Sequence, residues 1–242
     1  MADAHYEVLK LAKIYDAGNG WSKDRDFYLS LADETQIDIL DLGCGTGLLC
    51  DSYADKGHRV TGVDPAKSML EVARKKTNGS KIDWINSQSQ DFITPNKFDL
   101  IIMTGHAFQV LLTEDEVLRT FKNVRNCLKP NGKFVFETRN PQIDWGSQWN
   151  TTKNLNLDIG KVSIYRNLCA SEGSFIEFET QYIFPDETLT SKSKLRFWKL
   201  EEITKLLNDS SLKTIKVNGD WDGGIFYPES SDEIIFTVGS NG

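Results

Sequence analysis

One stretch constrains the fold of this 242-residue chain more than any other: Ile39-Leu-Asp-Leu-Gly-Cys-Gly-Thr-Gly-Leu-Leu49. An apolar run leads directly into three glycines at alternate positions, and a helical pattern follows them. Glycine tolerates positive φ and lets a ligand approach the backbone closely, and the free N–H groups of a helix N-terminus attract polar ligands. The stretch therefore predicts a buried strand, a ligand-binding turn and a helix.

The same alternation of strand and helix continues along the chain. Apolar runs predict strands over 37–42, 59–63, 82–85, 98–103 and 133–138, with a turn at 129–132 before the last of them. Helical patterns lie between them, and a capping box at 113–116 begins a helix that runs to 128. Near-continuous apolar strands separated by helices indicate an α/β domain with a parallel sheet covered on both faces. A helix over 200–207 and strands over 212–217 and 233–238 extend this pattern.

Two segments depart from that pattern. Over 140–198, apolar and polar residues alternate, as in Ile176, Phe178, Tyr182 and Phe184, which predicts antiparallel strands with one face in water. We interpret 140–198 as an antiparallel β cap of three or four strands, inserted into a single domain that spans 1–242. Residues 1–30 are predicted to be helical and to form a lid, in which Gly18 and Gly20 provide a hinge.

The spacing of the glycines indicates which ligand the turn binds. A dinucleotide-binding turn has the pattern GxGxxG, whereas this chain has GxGxG with Leu48 at the position of the third glycine. Asp41 would repel a pyrophosphate and suits a cation. Asp64 follows the second strand, where a ribose diol would lie, and Asp91 with Phe92 follows the third, where a purine would lie. Ligands of open α/β sheets bind at these carboxyl ends of the strands.

With these motifs, residues 37–139 resemble the class I S-adenosylmethionine (SAM)-dependent methyltransferases, whose glycine motif is E/DxGxGxG. The resemblance implies a three-layer Rossmann-like sheet of seven strands, mostly parallel and with the last strand antiparallel. It implies SAM as the cofactor, with the methionine part at the glycine turn, the ribose at Asp64 and the adenine at Asp91 and Phe92. The predicted cofactor-binding residues are Asp41, Gly43, Cys44, Gly45, Thr46, Gly47, Asp64, Pro65, Met69, Gln90, Asp91, Phe92, Met103 and Thr104.

The acceptor side has fewer signals. Methyl transfer requires alignment of the reacting atoms and, for a protonated nucleophile, a base. His106 follows the fourth strand, where the acceptor approaches, so it is a candidate base or orienting group, and equally a hydrogen-bonded wall residue. The candidates for contact with the acceptor are Tyr15, Trp21, His106, Phe108, Arg196 and Trp198, of which His106 and Tyr15 are the candidate catalytic residues.

Several classes of function are disfavoured. Residues 103–108 contain no carboxylate for a magnesium ion, so no metal is expected. The net charge of −7 and the absence of nucleobase-methyltransferase motifs argue against nucleic acid and favour a small-molecule acceptor. No apolar run is long enough to span a bilayer, no signal peptide is evident, and the four cysteines form no CxxC pair. We therefore expect a cytoplasmic protein with no membrane partner.

Three alternatives remain open on the sequence. They are a nicotinamide-dependent oxidoreductase, a protein or RNA methyltransferase, and a module that binds the cofactor without turnover. Neither the acceptor, the choice between nitrogen and oxygen, nor the oligomeric state follows from the residues.

Overall fold

The computed structural model describes residues 3–240, and its centre is a seven-stranded sheet. The strand order is β3-β2-β1-β4-β5-β11-β10. Strands β1 to β5 are parallel, and β11 is antiparallel to both of its neighbours, β5 and β10. The predicted seven-stranded sheet with an antiparallel last strand is thus confirmed. The strands are β1 (Asp38–Leu42), β2 (Arg59–Asp64), β3 (Asp83–Asn86), β4 (Phe98–Met103), β5 (Leu128–Arg139), β10 (Leu212–Asn218) and β11 (Glu233–Ser240).

Helices cover both faces of this sheet and create two apolar cores. On one face, α6 (Glu114–Cys127) and α7 (Leu200–Asp209) pack on β4, β5 and β11. On the other face, α3 (Lys23–Leu29), α4 (Leu48–Asp55) and α5 (Lys67–Ala73) pack on β1 and β2. The predicted capping box begins α6: Glu116 N–H donates to Thr113 Oγ1 at 3.2 Å, and Thr113 N–H donates to Glu116 Oε2 at 2.9 Å.

The predicted turn at 129–132 lies inside β5 rather than before it. Strand β5 begins at Leu128, which pairs with Phe98, and the next pairing with β4 joins Leu100 to Lys133. The intervening residues form an irregularity in which Asn131 adopts a φ of 67°. The prediction that the strand begins at 133 was therefore wrong, because turn residues here make a bulge within a continuous strand.

A second, four-stranded antiparallel sheet forms the cap. Its strands are β6 (Thr151–Leu157), β7 (Gly160–Glu172), β8 (Phe175–Ile183) and β9 (Thr188–Arg196), in that order. The alternation in β8 turns Ile176 and Phe178 to a buried inner face, and Phe184, directly after the strand, is buried as well. Sequence reasoning did not identify β6 individually, because Leu155 is its single buried residue and provides no periodic pattern.

The N-terminal segment joins the two sheets. It contains α1 (Ala4–Glu7) and α2 (Leu9–Gly18) before α3. Leu11 and Ile14 of α2 pack on the inner face of the cap, and Ala12 packs on Met69 of α5. Residues 1–2 of the predicted lid and 241–242 of the predicted domain lie outside the described residues. Among residues 3–240, no helix is long and apolar enough to cross a membrane.

Candidate active site

The three glycines form the turn between β1 and α4, and all three have positive φ: 82° at Gly43, 54° at Gly45 and 71° at Gly47. Their surroundings differ. A Cβ atom on Gly47 would overlap the Trp84 indole, whereas a Cβ on Gly45 would meet no heavy atom within 4 Å. Gly47 is therefore required by packing as well as by its backbone angle, and Gly45 is where the turn is open to a ligand.

Trp84 is a structural residue of this turn that sequence reasoning missed. It lies on β3 directly beside Gly62 of β2, and a Cβ on Gly62 would also overlap its ring. Its Nε1 donates to the Gly79 carbonyl at 2.8 Å, which fixes the ring plane. Gly62 was the available signal, because a glycine inside a strand often marks a close approach by a neighbouring group.

Asp64 connects the end of β2 to the glycine turn. Its Oδ2 accepts from Gly45 N–H and its Oδ1 from Ala66 N–H, both at 2.8 Å. Burial raises the pKa of this carboxyl group to about 6, and the two backbone donors oppose that shift. Each carboxylate oxygen can accept a further hydrogen bond, so Asp64 can still receive the hydroxyl groups of a ribose.

Asp41 is buried at the end of β1. Its Oδ2 accepts from Cys50 Sγ at 3.4 Å, and its Oδ1 has no hydrogen-bond partner within residues 3–240. Burial, together with the nearby charges of Asp64 and Glu137, raises the pKa of Asp41 to about 7. An unpartnered buried oxygen is costly, and a positively charged group would relieve that cost. The carboxyl groups of Asp41 and Asp64 therefore fit a cationic cofactor such as SAM.

The other predicted cofactor residues near the turn are buried or hydrogen-bonded within the protein. Thr46 Oγ1 donates to Asp16 Oδ1 of α2 at 2.5 Å. Cys44 is buried, and burial raises the pKa of its thiol to about 11, so it is not a nucleophile in this conformation. Met69 is fully buried beneath α2, and the Pro65 carbonyl accepts from Asn86 Nδ2 at 2.7 Å.

The predicted adenine contacts are not gathered around one surface. Asp91 is exposed and forms an ion pair with Arg119 of α6, while the Phe92 ring is buried in the core under α6. Gln90 donates to Gln88 at 2.7 Å, Met103 is a core residue, and the Thr104 carbonyl accepts from Ala107 N–H at 3.2 Å. The role of Asp91 and Phe92 in binding adenine stays a prediction, as does the role of Gln90, Met103 and Thr104 in binding the cofactor.

His106 lies at the carboxyl end of β4, next to two buried carboxyl groups. Its backbone, at a φ of 60°, donates N–H to Glu137 Oε1 at 2.7 Å. Its Nε2 is 2.9 Å from Glu233 Oε2. Glu137 also accepts from the buried Tyr28 hydroxyl. The topology thus brings side chains of α3, β5 and β11 together at the residue that the sequence had singled out.

Burial determines the protonation of this cluster. It raises the pKa of Glu233 to about 8 and lowers the pKa of His106 to about 4, and it also raises the pKa of Glu137. The His106–Glu233 pair therefore holds one shared proton at neutral pH and loses it above about pH 8. After that loss the pair carries a negative charge and can accept a proton from a bound molecule.

Three of the predicted acceptor contacts pack against other residues of the protein. Phe108 and Trp198 are fully buried in the core, with ring centres 6.3 Å apart. Arg196 lies over the Trp198 ring at 3.4 Å and donates to the Leu112 carbonyl at 3.1 Å, so it joins the cap to the main sheet. These contacts within the protein account for the positions of the three residues, and their contact with an acceptor stays a prediction.

The two aromatic residues of the predicted lid also differ. Trp21 is 44% exposed, and its Nε1 donates to Asp26 Oδ1 at 2.6 Å, so its ring lies on the surface of α3. Tyr15 packs beside Tyr6 with ring centres 6.0 Å apart. Burial raises the pKa of Tyr15, and the nearby charge of Asp64 raises it further. Tyr15 therefore lies near the cofactor side, together with Tyr6, which sequence reasoning missed.

Glu137 and Glu233 were missed although a signal was present. Glu137 interrupts the apolar run after Phe136, and Glu233 stands at the head of another apolar run, 234–236. A carboxyl group inside an apolar strand is seldom buried without a partner. Carboxyl residues that interrupt or begin apolar runs, here near the ends of two adjacent strands, were therefore candidates for a functional site.

Comparison with known proteins identifies the region that contains the glycine turn. Residues 39–132 match the family model described as a methyltransferase domain. This part of the chain is therefore similar to methyltransferase domains. The resemblance drawn from the glycine motif is confirmed over it. The family match favours SAM as the cofactor over a nicotinamide dinucleotide.

Relatives and solved structures extend the comparison. The Bacillus subtilis protein YqeM, named as a methyltransferase, is 36% identical over 134 residues, which are 54% of this chain and 51% of YqeM. The chain thus spans about half the length of such curated relatives. A SAM-dependent methyltransferase structure from Clostridium acetobutylicum has a TM-score of 0.80 at 23% identity, covering 96% of this chain and 98% of the other. The sugar N-methyltransferase KedS8 of a Streptoalloteichus species has a TM-score of 0.75 at 16% identity, covering 98% and 94%.

Proposed function

We propose that this chain transfers a methyl group from SAM to the amine nitrogen of a small molecule. The observation that supports an amine is the group of two buried carboxyl groups, Glu137 and Glu233, around His106. A cluster of this kind attracts an ammonium group and can accept its proton. The name of the structural neighbour KedS8, a sugar N-methyltransferase, is in keeping with an amine acceptor.

The cofactor side supports this proposal independently. SAM supplies an electrophilic methyl group on a positively charged sulfur. Asp41, with its unpartnered Oδ1, would face the positive charge, the open backbone at Gly45 would contact the methionine part, and Asp64 would accept from the ribose hydroxyls.

The acceptor side would prepare the nucleophile. An ammonium has no free electron pair, so it must lose a proton before the nitrogen can attack a methyl carbon. The His106–Glu233 pair would accept that proton once its own shared proton has left, which makes the rate rise with pH through about 8. Glu137 positions His106 through the backbone N–H and is held by Tyr28.

Transfer of labelled methyl groups tests the proposal. Purified full-length chain is incubated with methyl-labelled SAM and a panel of small primary and secondary amines, each paired with the alcohol of the same skeleton. We expect label in amines and not in the paired alcohols, and no transfer by Asp64→Ala. Label in the alcohols alone would replace nitrogen by oxygen as the acceptor atom. A wild-type chain that binds neither SAM nor S-adenosylhomocysteine in calorimetry would contradict the proposal as a whole.

A further inference from the structure

Two arginines from different sheets lie against one tryptophan between the cap and the main sheet. The guanidinium carbon of Arg139, at the end of β5, is 5.4 Å from the centre of the Trp149 ring. The guanidinium carbon of Arg166, on β7, is 5.7 Å from the same ring. Arg139 and Arg166 belong to strands of different sheets, so the fold creates this cluster.

The hydrogen-bond donors of the cluster are poorly satisfied within residues 3–240. Arg139 donates to the neutral amide oxygen of Gln109 at 2.8 Å, and no carboxylate oxygen lies within 4.0 Å of either guanidinium. The Nε atom of Arg166 and the Nε1 atom of Trp149 are buried and have no hydrogen-bond partner in the described part of the chain. Buried donors without acceptors are costly, and so are two positive charges close together.

The surroundings of Arg166 increase the cost of leaving its positive charge unpaired. It lies on the inner face of the cap sheet, paired with Thr151 on one side and Thr180 on the other. Its neighbours on the same face of β7, Ile164 and Leu168, belong to apolar clusters. An arginine is rarely placed at such a position without a counter-charge, so this face is suited to accept an anion.

We infer that Arg139, Arg166 and Trp149 form a subsite for an anionic group of the methyl acceptor, either a carboxylate or a phosphate. The inference rests on the proposed function and specifies the substrate class further. Arg139 stands directly opposite Glu233 in the pairing of β5 with β11. The anion subsite therefore adjoins the His106–Glu233 pair, and one molecule that carries both an amine and an anion can reach the two together.

Guanidinium groups suit this task because their planar donors bind carboxylate and phosphate in pairs. The indole offers a flat apolar surface, and its N–H is a further donor. Both kinds of anion share this recognition chemistry, so the experiment has to separate them.

Calorimetric titration with three probe anions tests the inference. Inorganic phosphate, pyrophosphate and succinate are each titrated into the full chain, with and without saturating S-adenosylhomocysteine. We expect at least one anion to bind the wild type, and Arg166→Met and Arg139→Met each to weaken that binding tenfold or more. Binding of phosphate or pyrophosphate indicates a phosphorylated acceptor, and binding of succinate indicates a carboxylate. Arg125→Met, which removes an exposed arginine of α6, should bind as the wild type does.

The controls separate this inference from folding and from the proposed function. Arg166→Lys retains the charge, so it should recover part of the affinity that Arg166→Met loses. Circular dichroism and S-adenosylhomocysteine binding identify variants that have not folded. Failure of the wild type to bind any of the three anions at millimolar concentration overturns the inference, as does equal binding by the wild type and both Met variants. Failure to bind S-adenosylhomocysteine concerns the proposed function alone, because the anion titration is also made without it.

Discussion

The cofactor side and the acceptor side of this molecule are built in different ways. The cofactor side is mostly local: the glycine turn occupies 43–47, Asp41 lies just before it, and Asp64 reaches back to Gly45. The acceptor side collects Tyr28, His106, Glu137 and Glu233 from four distant segments. A local site leaves a motif in the sequence, whereas a site assembled by topology leaves only isolated residues.

The electrostatics of the two sides differ as well. Asp41 and Asp64 are carboxyl groups without a nearby histidine partner among the described residues, and burial raises their pKa values to about 7 and about 6, which suits them to meet a positive charge. Glu233 shares a proton with His106, which suits the pair to move one. In the proposed function, the first arrangement would bind a cation, and the second would exchange a proton with the acceptor.

The largest expected effect tests the acceptor side. Glu233→Gln removes the proton acceptor but keeps the shape of the side chain, so kcat should fall by about 10²- to 10⁴-fold, the usual range for loss of a general base. The rise of the wild-type rate through about pH 8 should vanish in the variant. Rates from pH 6 to 9 with labelled SAM and an amine accepted by the wild type provide the measurement.

Stability measurements serve as the control for this variant. The pKa of Glu233 is raised to about 8 in the folded chain, so the unfolded chain loses this proton at a lower pH than the folded chain does. The free energy of unfolding therefore falls as the pH rises towards 8. Glu233→Gln lacks this ionisation and should be at least as stable as the wild type at pH 8 and above. A variant that retains wild-type kcat at every pH would exclude Glu233 as the base.

The contrast between a local cofactor side and an acceptor side assembled from distant segments explains how much of the structure could be predicted from the sequence. Apolar periodicity and the glycine motif predicted the seven-stranded sheet, because strands and helices depend on neighbouring residues. The sequence could not decide between packing and acceptor contact for Phe108 and Trp198, which are both buried, because an aromatic residue near a site has the same sequence appearance as one in the core. Arg166 was not found because its importance depends on residues of other segments, such as Trp149, and no single-sequence pattern records those contacts. Glu233 gave a signal as a carboxyl group beside an apolar run, but its partner His106 could not be inferred from that signal.

The next effect compares two glycines of the cofactor side. Gly47→Ala should lower the free energy of unfolding by about 2–5 kcal/mol, since a Cβ there adds left-handed strain and overlap with Trp84. Gly45→Ala has the strain without the overlap, so it should lose about 1–2 kcal/mol. Urea unfolding of both variants measures the difference.

Cofactor affinity should rank the two variants differently from their stability. The Gly45→Ala methyl group projects into the open side of the turn, so this variant should bind S-adenosylhomocysteine much more weakly than its modest loss of stability would suggest. Equal losses of stability in the two variants would show that Trp84 is not what constrains Gly47.

A smaller effect tests the charge on the cofactor side. A cationic ligand favours the ionised form of Asp41, whose pKa of about 7 in the free protein reflects burial and the nearby Asp64 and Glu137. Affinity for SAM should therefore rise about tenfold between pH 6 and pH 8, with release of a proton on binding. Asp41→Asn should remove most of this rise and leave a shallower one from Asp64. Calorimetry in buffers of different ionisation enthalpy counts the protons, and a wild-type affinity independent of pH would contradict the role of Asp41.

The smallest effect concerns Trp21, which the sequence placed in a lid over the acceptor. The structure places its ring on the surface, where loss of the hydrogen bond to Asp26 should cost about 0.5–1.5 kcal/mol and change neither kcat nor KM. Trp21→Ala, measured beside Tyr15→Phe, therefore compares an exposed lid residue with a buried one near Asp64. If Trp21→Ala raises KM for the acceptor tenfold while its stability is unchanged, the segment around Gly18 and Gly20 must close further during turnover. In that case the acceptor side, unlike the cofactor side, is completed only when the acceptor binds.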